Sequence, residues 1–127
     1  MLEIQEKHGT EGYEQLVSTH PDVVMLHITE ALDKGSPIGF IAYSYEGDRT
    51  VVYDYDDGGD LMLCDGLVRS VLFKSCLKTI GKCEFVLPCE SKYDALRKLR
   101  FLTGNSHVAE NIDQFMNGCE SCKNNKN

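Results

Sequence analysis

Positive charge is scarce in this chain: 13 Lys and Arg stand against 20 Asp and Glu, for a formal net charge of −7. Non-specific nucleic-acid binding depends on clustered cations that neutralise phosphates, so this composition argues against a nucleic-acid partner. Long apolar runs are missing too. None approaches the ~20 residues that span a bilayer. The opening stretch MLEIQEKHGTEGYEQL also lacks the basic and apolar blocks of a secretion signal. No membrane partner is therefore expected, and the expected compartment is the cytoplasm. Neither an internal repeat nor a dividing linker breaks the 127 residues, which read as one domain, 1–127. A hydrophobic fraction of 42% is enough to build one core.

What is present begins with six cysteines. In a chain read as cytoplasmic, these are expected to be reduced thiols rather than a disulfide framework. Cys64, Cys76 and Cys83 sit inside apolar stretches, where cysteine behaves as a small buried hydrophobe. Cys119 and Cys122 form a compact CxxC near the end of the chain. Three readings stay open for that pair: ligands for zinc, which needs two further donors, a redox dithiol, or incidental residues in a short tail of about 117–127.

The chain is organised around residues 37–88. PIGFIAYSYEGDRTVVYDYDDGG reads as a hairpin turning at Glu46-Gly47-Asp48. A helix follows, because apolar residues recur at Cys64, Leu67, Val68, Val71, Leu72, Cys76 and Leu77. Asp60 or Asp65 can cap its start and Gly81 is expected to end it. KCEFVLP then reads as an internal strand. Upstream, a short helix is expected over Glu11–Ser18, stopped at His20-Pro21, followed by a strand over Val23–Leu32. Downstream, SKYDALRKLRFL is expected as a helix capped by Ser91 and stopped at Gly104-Asn105, SHVAENI as a closing strand and DQFMNG as a last helical turn. The class is α/β (α+β), with an antiparallel meander, a helix-strand-helix unit and helices on both faces of a mixed sheet.

This order resembles the GNAT superfamily of N-acetyltransferases, over roughly Val23 to Ile112. In that family a glycine loop ahead of the long helix presents backbone N–H groups to the diphosphate of acetyl-CoA. The resemblance implies acetyl-CoA or CoA as cofactor. It places the contact at Leu63, Cys64, Asp65, Gly66 and Leu67. Of the family's loop pattern only Gly66 is kept, and Asp56, Asp57, Asp60 and Asp65 stand nearby. Leu96-Arg97-Lys98-Leu99-Arg100-Phe101 matches the end of a second family motif. There Cys89 stands at the asparagine position, Leu96 at the tyrosine acid and Arg100 at the glycine. Tyr93, one turn earlier, is the candidate acid in its place. Asp54, between two tyrosines, is the candidate base, with His27 and Glu30 the other available groups. The implied activity is acyl transfer to a small-molecule or peptide amine; a non-catalytic binding module is the alternative. A second copy of the chain is a further candidate partner.

Overall fold

The computed structural model describes residues 2–117. Ten elements follow one another: β1 (Leu2–Lys7), α1 (Glu14–Thr19), β2 (His27–Asp33), β3 (Ser36–Glu46), β4 (Arg49–Asp56), α2 (Leu61–Leu77), β5 (Lys82–Phe85), α3 (Glu90–Lys98), β6 (Val108–Glu110) and α4 (Asp113–Asn117). The six strands form one sheet in the order β1-β2-β3-β4-β5-β6. All neighbours run antiparallel except β4 and β5, which are parallel. A parallel pair needs a crossover, and α2 supplies it. The α+β class read from the sequence is the observed one.

The core lies on one face. Ile41, Tyr43, Val52, Tyr55, Cys83 and Phe85 project from the sheet onto Leu67, Val68, Val71 and Leu72 of α2 and Tyr93 and Leu96 of α3. Val71 and Leu72 are completely buried, as their place on the helical stripe requires. The opposite face is thinly covered. Helix α1 contributes no buried residue, and the cover comes from ring contacts of Tyr13 with Phe40 and His20 with Tyr53.

Several boundaries differ from expectation. Strand β1 was not expected. It pairs with β2 over six positions, from Leu2 opposite Asp33 to Lys7 opposite Ile28. The strand expected from Val23 begins only at His27, where β3 first supplies a partner, with β1 joining at Ile28; Val24 is fully exposed ahead of it. Helix α2 ends not on Gly81 but on Thr79 in the left-handed region (φ 57°). There the N–H groups of Thr79 and Ile80 donate to the carbonyls of Cys76 and Ser75. Helix α3 likewise closes on Arg100 (φ 69°), before Gly104. Its N-cap is Cys89 rather than Ser91.

Candidate functional site

Strands β4 and β5 stay paired only as far as Val52 and Phe85, with one more bond from the Val86 N–H to the Val52 carbonyl at 2.8 Å. The next amide, Leu87 N–H, turns away and donates to the Tyr93 hydroxyl at 2.8 Å. Where the strands part, a cleft of about 510 Å³ opens on the thin face, lined by Leu16, His20, Tyr53, Asp54, Leu87 and Pro88 among others. A β-bulge shapes it. Ala42 pairs with Asp54 and Tyr43 with Val52, so Tyr53 is an extra residue on β4. The bulge turns Tyr53 and Asp54 toward the same cleft.

Asp54 is thus at a cleft wall, and its carboxylate is engaged. It accepts from Lys92 Nζ at 2.5 Å and from the Tyr55 N–H at 2.8 Å. Lys92 comes from the first turn of α3, 38 residues away in sequence, and nothing in the local sequence marks it as the partner. Tyr93 is not part of the cleft. Its hydroxyl donates to the Phe85 carbonyl at 3.1 Å while accepting from Leu87, and its ring stacks on His107 at 3.9 Å. Both hydroxyl valences are spent on fixing the end of β5. The structure does not bring Asp54 and Tyr93 to a common cavity wall.

The five residues read as a phosphate contact are placed as follows. Leu63, Cys64 and Leu67 are buried in the core, and burial pushes the Cys64 thiol up to about 12. Asp65 forms an i,i+4 ion pair with Arg69 at 3.0 Å. Gly66 lies in the second turn of α2, where a Cβ would meet Ile4 Cδ1 at 3.1 Å; the glycine admits β1 to the helix surface.

The loop itself is closed by its own carboxylates. Asp56 Oδ1 accepts from the Gly58 N–H at 2.9 Å and Asp57 Oδ1 from the Gly59 N–H at 2.9 Å. Asp60, the N-cap, accepts from the amides of Met62 at 2.9 Å and Leu63 at 3.3 Å. The Asp60 N–H goes to the Asp57 carbonyl, and Cys64 N–H to the Asp60 carbonyl. A helix N-terminus binds phosphate because its amides lack partners. Here the donors are taken by three aspartates, and a diphosphate would meet their negative charge. These residues do not fit the diphosphate of CoA.

No group of three or more His, Cys, Asp or Glu among the described residues is placed to hold a metal ion. Cys119 and Cys122 lie outside the described residues. Among the described residues no helix is long and apolar enough to cross a membrane. No known family, curated protein or solved structure matches this chain.

Proposed function

We propose that the protein is a non-catalytic cytoplasmic binding module with an acetyltransferase-like arrangement of elements, and that the cleft between β4 and β5 is its ligand-facing feature. The observation that carries this reading is that the Gly58 and Gly59 amides are already held by Asp56 and Asp57, and the Met62 and Leu63 amides of α2 by Asp60. The engagement of Asp54 by Lys92 and of Tyr93 by backbone supports it further, since neither group stands free to move a proton.

A second reading is acyl-CoA-dependent N-acyl transfer to a small-molecule or peptide amine. One feature favours it: a carboxylate at the wall of a cleft open to solvent, suited by charge to an ammonium group. Isothermal titration calorimetry separates the two. Purified protein titrated with CoA and with acetyl-CoA at millimolar concentration should give no heat of binding. Saturable heat with acetyl-CoA, strengthened by Asp60→Asn, would instead favour the transferase reading over a module that does not bind CoA.

A further inference from the structure

Strand β1 is the outermost strand of the sheet, and its far edge has no partner strand among the described residues. An open edge is a template for another strand, and proteins that leave one long and flat risk non-specific pairing. Beside it runs an apolar stripe on α2. Met62, Gly66, Phe73 and Leu77 fall within about 60° of one another at 3.6 residues per turn. Gly66 faces Ile4 of β1, which fixes the stripe over that edge. Its other members are out in solvent: Met62 is 83%, Phe73 55% and Leu77 70% exposed. A strand edge and a helical stripe that adjoin each other make a two-part surface.

We infer that this surface is covered by a second copy of the chain, related by a twofold axis normal to the sheet. The argument rests on charge and register. In an antiparallel pair, opposed residues share a face, so β1 can meet itself only in registers that keep its alternation. Ile4 faces α2 through Gly66, and Glu6 does so through Lys74 at 3.1 Å. Glu3, Gln5 and Lys7 therefore share the other face. Centring the axis on Gln5 sets Glu3 opposite Lys7 of the partner subunit, twice over, with Ile4 opposite the partner's Glu6 on the other face. Centring it on Ile4 sets Leu2 against the partner's Glu6 and Glu3 against the partner's Gln5, so it forms no opposite-charge pair. Opposite charges directly across an antiparallel pair are favourable and like charges are not, so the first register is selected. The same axis brings the two α2 stripes side by side on one face of a continuous twelve-stranded sheet, covering Phe73 and Leu77. The surface is self-complementary, as a twofold interface must be. This inference is independent of whether the cleft binds a ligand or an acyl donor.

Sedimentation equilibrium on the full chain tests it. The expected species has twice the 14.3 kDa chain mass. Glu3→Lys alone opposes lysine to lysine, and Lys7→Glu alone opposes glutamate to glutamate. Each should weaken association by about tenfold. An equimolar mixture of the two variants restores both opposite-charge pairs and should recover the wild-type constant. Phe73→Lys, at an exposed position that leaves the fold intact, should give monomer. A wild-type chain that sediments as monomer overturns the proposal, and so does a dimer whose strength ignores these substitutions. A charge-variant mixture no tighter than its components overturns the register.

Discussion

Residue by residue, the chain's thiols are set apart by their surroundings. Cys89 is exposed at the start of α3. A hydrogen bond from Ser91, the Lys92 N–H and the Lys92 charge hold its thiol below the usual range. Burial raises the other three described thiols, Cys64, Cys76 and Cys83. Limiting iodoacetamide at neutral pH should therefore label Cys89 before those three, as read by peptide mapping. Ser91→Ala should slow that labelling; preferential labelling of Cys76 would contradict the assignment. A second residue-scale consequence lies at Arg100. A side chain in the left-handed region costs energy that glycine does not incur, and Arg100 has φ 69° at the close of α3. Arg100→Gly should raise stability by about 1 kcal/mol, visible as a higher melting temperature. A lower melting temperature would show that the arginine side chain supports the helix end.

Among the elements, β1 is fastened by a titratable cluster. Glu6 accepts from Lys74 at 3.1 Å and meets His27 Nδ1 at 3.2 Å, tying β1 to α2 and β2. Partial burial opposes ionisation of Glu6, but Lys74 and then His27 outweigh it and leave its pKa below the ordinary 4.5. A depressed folded-state pKa means stability that is present above the unfolded value and lost as pH falls through the folded one. Hydrogen-exchange protection in β1, referred to the intrinsic amide rate at each pH, should fall below about pH 4.5 while α2 stays protected, and Glu6→Gln should flatten that dependence. Uniform exchange across the sheet would show that β1 has no separate stability. The same element shows where the sequence was legible. Helix α2 announces itself by its apolar period, and the β3–β4 hairpin by its turn and alternation. Strand β1 does not, because Glu3, Glu6 and Lys7 read as surface charge until β2 and Gly66 are seen beside them. The bulge at Tyr53 has no side-chain signature, and the Asp54–Lys92 pair joins residues whose meeting depends on the whole crossover. Asp54 was conspicuous between two tyrosines, but its partner was not. The four aspartates around the start of α2 were visible in sequence; that Asp56, Asp57 and Asp60 close the loop while Asp65 pairs with Arg69 needed their geometry.

For the molecule as a whole, stability is concentrated where α2 crosses the sheet. Leu72 is fully buried at that crossing, and Leu72→Ala should cost about 2–5 kcal/mol in a denaturant titration. A loss under about 1 kcal/mol would place the core elsewhere. The order of the strands adds a consequence in time. Strands β2, β3 and β4 are joined by short turns at residues 34–35 and 47–48, whereas β1 reaches β2 only across residues 8–26. The parallel step from β4 to β5 spans residues 57–81, including all of α2, the longest connection between neighbouring strands of the sheet. The crossover is then the rate-determining nucleus, and the rest zips outward from it. In refolding kinetics, Leu72→Ala should slow the folding limb, whereas Glu6→Gln at the far edge should mainly hasten unfolding. The chain would thus grow from its middle, and the strand whose outer edge is proposed to meet a second molecule would be among the last to dock on its own.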